Sequence, residues 1–414
     1  MRFRSHISLV TAIAMLTATT FQFGATPAAD AHAIRMPSKV QPVPVDNVRN
    51  FGAMGNGVTD DSTAIQNAAN DAAARHIGLF FPAGTYLHAS PVTFNGISVS
   101  GAGAASVLVA NNPANCAVVL TGANVSLQNM MISTHGLAGS SSLLNPNSAT
   151  LLIQSATSFT VAGSTIVTGT NMWGALVLMS TVGAINSVAF DGTGNANDIG
   201  VEIDQGDNVT VANSLFQNES MGVQIVPNGG PSQFISVVSN TIGNVTWPTT
   251  QFGVYAVGVN TLDVAQNTIQ MLNSSGTYPI NLANVNDFTV AGNNTWGGNY
   301  AITSNGAGPG NNIITQNIMH NTGGIGVYIN NNGNSALQVV GNVFGEIGIM
   351  FSSSVILISG ADSSGATTFV ENNSYQGHNN FLINYVYCTF TAPHIPAGNV
   401  TGNTQTQTIL GNHI

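Results

Sequence analysis

Between Asn208 and Ile225 the chain reads NVTVANSLFQNESMGVQI: two short alternating runs, Val209-x-Val211 and Val223-x-Ile225, with Asn213 in the turn between them. The same phrase returns at Asn240, Asn267, Asn294, Asn317, Asn342 and Asn372, and weaker copies precede it at Asn129, Ser164 and Asn186. A second phrase, Gly-apolar-x-apolar, interleaves with it at Gly174, Gly200, Gly222, Gly253, Gly326 and Gly348. A repeat of roughly 22 to 30 residues built on period-2 runs, with no helical spacing, leaves few folds available: a solenoid whose coil is a few short strands joined by turns. One coil cannot bury its apolar side alone, so coils must stack and make their inward Val and Ile positions a continuous core. An Asn in each coil suits a turn that needs left-handed backbone and an amide able to bond the coil above. The sequence therefore predicts an all-β parallel β-helix of about ten or eleven coils.

Charge sharpens this picture. Only 5% of residues are charged, 43% are hydrophobic, and the formal net charge is -10, which argues against nucleic acid and anionic membranes as partners. All six basic residues (Arg2, Arg4, Arg35, Lys39, Arg49 and Arg75) lie at or before position 75, so the coils carry no Lys or Arg. Cationic chemistry there has to come from His, a helix end or a bound metal. The two cysteines, Cys116 and Cys388, fall in early and late coils; at about 4.8 Å per coil they stand about 40 Å apart, too far for a disulfide unless the tail folds back.

Residues 1–33 read as a secretory signal: Arg2 and Arg4, an apolar run from Ile7 to Leu16, then small residues ending Ala31-His32-Ala33. The run is too short to span a bilayer and no later stretch is a transmembrane candidate, so export is expected. Residues 34–96 form a Pro-rich lead-in and an N-terminal cap. In it Asp60 or Asp61 is placed to cap a helix, Ala64, Ile65, Ala68, Ala69 and Ala72 supply its apolar stripe, and Gly78 closes it. Such a helix would cover the open end of the solenoid. Residues 97–390 hold the coils, and 391–414 form a polar tail.

Phe51-Gly52-Ala53, Gly55-Asn56-Gly57, Asp60-Asp61, Ala64-Ile65-Gln66, Phe81-Pro82-Ala83-Gly84-Thr85-Tyr86 and Ile97-Ser98-Val99-Ser100-Gly101-Ala102-Gly103 resemble the N-terminal signature of the pectate lyase/rhamnogalacturonase/epimerase-like superfamily. The resemblance implies a single-stranded right-handed parallel β-helix with an N-terminal capping helix, and polysaccharide as the class of partner. It marks fold and cap, not a reaction, and Asn56 stands where relatives more often carry Asp. Hydrolases of the polygalacturonase type carry an Asn-Thr-Asp, an Asp-Asp pair, a Gly-His-Gly and an Arg-x-Lys. Here Asn197-Asp198 is similar to the first and Asn218-Glu219 faintly to the second, and the His and basic motifs are missing.

Six of the eleven acidic residues after His76 lie in one short stretch: Asp191, Asp198, Glu202, Asp204, Asp207 and Glu219. In Gly200-Val201-Glu202-Ile203-Asp204, Val201 and Ile203 point inward, so Glu202 and Asp204 project from one outer face. Residues i and i+2 of a strand stand about 6.5–7 Å apart, at the lower edge of the ~6.5–9.5 Å used by inverting glycosidases. Two carboxylates so placed titrate apart, one toward an acid role. Glu202 and Asp204, with Asp198 as a third carboxylate, are the catalytic candidates. A Ca²⁺ site drawing on Asp191, Asp207 and Glu219 is the alternative, as are acidic turn residues with no chemistry. The outward column through Leu176, Glu202, Gln224, Tyr255, Asn281, Tyr328 and Met350, with Trp173 and Trp247 near it, suggests a sugar-binding strip whose named candidates are Gln224, Tyr255, Trp173 and Tyr328.

The sequence thus points to a secreted polysaccharide-active protein, first a glycoside hydrolase of neutral or weakly acidic glycan. A Ca²⁺-dependent lyase or epimerase using His135, His320 or His378 as base, and a non-catalytic extracellular glycan-binding or structural module, are the alternatives.

Overall fold

The computed structural model describes residues 44–139, 145–243, 251–306, 310–330, 336–347, 354–359, 368–375, 381–385 and 401–405. The expected signal segment, Trp247, Met350, His378, Cys388 and most of the tail lie outside them.

Period-2 alternation becomes short strands, and the repeat becomes three parallel sheets. One coil runs Ile199–Asp204, Asp207–Ala212, Leu215–Gln217, and the next runs Met221–Val226, Gln233–Val238, Thr241–Gly243. We call the sheets holding the first, second and third strand of a coil sheets A, B and C. Among the described residues they contain 12, 13 and 14 strands, each joined to the strand three places on in the chain except for three pairs at the sheet ends that join strands two places apart, which makes an all-β parallel solenoid of about 11 turns.

Register keeps like residues above one another. Val209 pairs with Ile235, Ile235 with Leu262 and Leu262 with Phe288, while Val211, Val237, Val264 and Val290 form the parallel column two positions on. All eight are buried and belong to a single apolar cluster that continues from Val48 to Tyr375. Each such side chain contributes about 1.5–3 kcal/mol on burial, but only when coils lie on both sides of it.

The turn between sheets B and C corrects the expected Asn repeat. Two adjacent positions divide the work. The first is left-handed (Asn213, Ser239, Gln266, Gly292, Gln316, Gly341 and Asn372). The second turns inward as a buried ladder of Asn240, Asn267, Asn293, Asn317, Asn342 and Asn373, continued by Asn403. Asn213, Asn294 and Asn372, named from the sequence, are neighbours of the ladder, and Ser214 takes its place in the coil of Asn213, its hydroxyl accepting Val188 N–H and its own backbone N–H donating to Asn240 Oδ1.

The single α-helix among the described residues, Ser62–Arg75, buries Ile65, Ala68, Ala69 and Ala72 in the core cluster, and Gln66 bonds the backbone of Thr93 through both its oxygen and its nitrogen. Its start differs from expectation. Asp61 occupies the cap position, yet its carboxylate accepts the N–H groups of Met54 and Gly55, while Asp60 Oδ1 takes the N–H of Ser62. The helix ends at left-handed His76, and Gly78 already opens the strand Gly78–Phe81. Cys116 is free and buried, which pushes its thiol up to about 12. Among the described residues no helix is long and apolar enough to cross a membrane.

Candidate active site

The strand Ile199–Asp204 lies in sheet A between Trp173–Leu178 and Met221–Val226. Val201 and Ile203 enter the solenoid core, and Glu202 and Asp204 take the opposite face. That face is not open. Ala117, Ala149, Leu152, Trp173, Leu176 and Ile199 form a second apolar cluster outside the core, and Glu202 follows Leu176 in register. Glu202 is only 4% exposed and Asp204 1%. Trp173 Nε1 donates to Glu202 Oε2 at 2.8 Å. Burial pushes the Glu202 carboxyl up to about 7; the indole hydrogen bond opposes this and the charge of Asp204 adds to it. Asp204 is raised from the ordinary carboxylate range by burial, against hydrogen bonds from the backbone of Asn228 and Gly229 and the Asn228 side chain. Asn228 N–H reaches Asp204 Oδ1 at 3.0 Å. The two carboxyls therefore share a face with different supports, one under an indole and the other under backbone donors.

The remaining acids serve other places. Asp198 is fully buried and both its oxygens are taken: Oδ1 accepts Asn171 N–H, and Oδ2 accepts Thr193 N–H, Thr193 Oγ1–H and Asn195 N–H. It ties two turns together ahead of the strand, which leaves no lone oxygen for a reacting group. Glu219 is buried behind Thr168, whose hydroxyl donates to Oε1 at 3.1 Å, while Oε2 has no partner. Gly192 makes this possible, since a side chain there would meet the Glu219 carboxyl. Burial holds Glu219 well above the ordinary range, and the charges of Asp198 and Asp191 act the same way. Asp191 accepts the side-chain N–H of Asn218, and Asp207 begins a strand of sheet B. Thus Asp191, Asp198 and Glu219 are neighbours, and Asp207 stands apart from them. Among the described residues no group of three His, Cys, Asp or Glu side chains is arranged to hold a metal ion.

Further along sheet A the outward face turns aromatic. Phe252 stacks on Tyr255 at 4.6 Å and on Tyr278 at 5.5 Å; Tyr278 meets Tyr300 at 5.8 Å and Tyr300 meets Tyr328 at 5.4 Å. Gln224 and Tyr255 follow Glu202 in the same register column. Trp173, expected in this strip, is buried against Glu202 and offers no open ring.

The family model for "Rhamnogalacturonase A/epimerase, pectate lyase-like" matches residues 45–261, more than half of the chain. The chain belongs to this family. No curated protein matches it. Solved structures with a similar fold include two that cover most of the chain. The surface protein and adhesin PfbA of Streptococcus pneumoniae is 15% identical over 82% of this chain and 100% of that one, with a TM-score of 0.58. The catalytic unit of a thermostable GH87 α-1,3-glucanase from Streptomyces thermodiastaticus is 16% identical over 88% of this chain and 69% of that one, with a TM-score of 0.59. At such identities the likeness is one of fold.

Within this family member, sequence reasoning missed the hold of Trp173 on Glu202, the backbone donors at Asn228 and Gly229, and the second aromatic column. That column had a signal. Trp173, Ile199, Met221, Phe252 and Ile325 each stand immediately before a glycine of the Gly-apolar-x-apolar phrase, and Tyr278 and Tyr300 occupy the same register before Pro279 and Ala301. His320, weighed as a base, sits on sheet C stacked on Trp296 at 4.6 Å.

Proposed function

We propose that this protein is an exported polysaccharide-active enzyme, a glycoside hydrolase of neutral or weakly acidic glycan, with Glu202 as general acid and Asp204 as its carboxylate partner. The observation that carries the reading is the Glu202 carboxyl, buried beneath Trp173 and pushed up to about 7 beside a second carboxyl on the same strand face. At that value Glu202 is available in its protonated form near neutrality and can deliver its proton to a glycosidic oxygen. Asp204 takes the proton of the attacking water as the bond to the anomeric carbon breaks. A separation of about 6.5–7 Å, set by strand geometry, favours inversion of the anomeric centre. Asp198 supports the site by holding the turns that lead into the strand.

The aromatic strip through Tyr255, Tyr278, Tyr300 and Tyr328 supplies apolar faces on which sugar rings can lie, with Gln224 between the strip and the carboxyls. With no Lys or Arg after position 75, the coils offer no permanently charged basic side chain to neutralise a polyuronate, which favours uncharged sugars. A panel of polysaccharides, assayed for new reducing ends and for unsaturated ends, tests the proposal. Reducing ends without unsaturation, lost in Glu202→Gln, support hydrolysis; unsaturated ends point to elimination.

One observation favours a second reading, a non-catalytic glycan-binding module: Glu202 and Asp204 are 4% and 1% exposed, so a substrate has little access to either. On this reading the panel stays silent and Glu202→Gln binds glycan as the parent does.

A further inference from the structure

We infer that Trp173 is the positioning residue of the site: its indole N–H fixes which oxygen of Glu202 faces outward with the proton. The inference rests on the proposal that Glu202 is the acid. The sequence offered Trp173 as a platform for sugar, but its ring is 1% exposed and packed among Leu152, Leu176 and Ile199. An indole nitrogen only donates, so the oxygen it meets must act as acceptor. Glu202 Oε2 receives that bond at 2.8 Å, which favours Oε2 as the carbonyl oxygen, the better acceptor of the two, and so favours the acidic proton on Oε1. A carboxyl free to turn would present its proton on either oxygen. Held by Trp173, it presents one.

The same side chain acts on Glu202 in two opposed ways. Its apolar body keeps water from the carboxyl and favours the neutral acid; its N–H favours the ionised form. Among the described residues no other charged group intervenes from the adjoining strands, since Glu202 lies between Leu176 and Gln224 in register, and Asp204 on its own strand is the one ionisable group among them that acts on it. Two substitutions separate the two actions. Trp173→Phe keeps an apolar ring and removes the donor, so the titration midpoint of Glu202 moves up from about 7. Trp173→Ala also opens the cover and moves it down toward the ordinary range.

The test is a ¹³C NMR titration of the Glu202 carboxyl in the full chain, alongside the pH–rate profile on whichever polysaccharide is cleaved. The expected result is opposite shifts in the two variants, with the alkaline limb of the rate profile following each. Equal shifts in one direction, or none, overturn the role of Trp173. Opposite shifts of the carboxyl with a rate profile that ignores them would instead overturn Glu202 as the acid. Should either variant fold poorly, the parent chain still answers. The Trp173 indole N–H resonance must titrate with the midpoint of Glu202 and lose that transition in Glu202→Gln; an indole signal flat across this range contradicts the inference.

Discussion

Asn240 gives both of its nitrogen donors to one oxygen: Asn267 Oδ1 accepts the backbone N–H of Asn240 at 2.9 Å and its side-chain N–H at 3.1 Å. Asn267 does the same to Asn293, and the unit repeats through Asn317, Asn342 and Asn373. Each side chain also donates to a strand carbonyl of the previous coil, as Asn267 does to Val237. The turn of one coil is thus completed by the side chain of the next.

Replacing Asn293 by Ala removes the acceptor for two N–H groups of Asn267, leaving its buried backbone N–H without a partner and its side-chain amide with only the Val237 carbonyl. A buried orphan costs ~1–3 kcal/mol, so a loss on the order of 3 kcal/mol is expected. The next residue is the control. Asn294 Oδ1 has no partner, and Asn294→Ala is expected to change stability by no more than ~0.5 kcal/mol. Parallel thermal melts of the two variants check the difference; equal destabilisation would contradict the ladder.

A second expectation concerns alkaline pH. Glu219, and Glu202 with it, are raised in the folded chain above their ordinary values. The folded state then retains protons that the unfolded state has released, so stability falls as pH rises from the ordinary carboxyl range through neutrality. Glu219→Gln keeps an acceptor for Thr168 and removes the ionisation. Melting temperature measured from pH 5 to pH 8 is expected to fall less steeply in this variant than in the parent. An unchanged slope would mean that the buried carboxyl is compensated in its ionised form.

Sugar binding gives a third. Tyr255 and Tyr300 lie on the aromatic strip away from the carboxyl pair, so Tyr255→Ala and Tyr300→Ala are expected to weaken binding to the active glycan on the order of tenfold each. Isothermal titration in the slowed Glu202→Gln background measures this with little turnover. Full affinity in both variants would remove the strip from the site.

The solenoid was legible because its period and strand alternation are each set by short-range sequence. Val209, Val211, Val223 and Ile225 had one possible direction once the strands were recognised. The ladder was legible only to within a residue, since Asn293-Asn294 and Asn372-Asn373 are doublets and both members of a doublet suit a turn. Choosing between them requires knowing which faces inward. For the site, alternation placed Glu202 and Asp204 on one face, but it could not say that the face was covered. That cover comes from Leu152 and Trp173 on earlier coils, through contacts that depend on how coils lie upon one another. The surroundings of Asp198 were hidden for a related reason: its four hydrogen bonds are gathered from two turns by the fold, and no local pattern announces them.

The most direct test of Glu202 as the acid is the pH dependence of hydrolysis by the parent chain and by Glu202→Gln, on the polysaccharide that the panel identifies. The parent rate is expected to fall as pH rises through about 7, where the Glu202 carboxyl loses its proton, and the variant to be slower on the order of 10²–10⁴-fold with that limb gone. A Glu202→Gln variant that cleaves at the parent's rate, with the same alkaline limb, would contradict it.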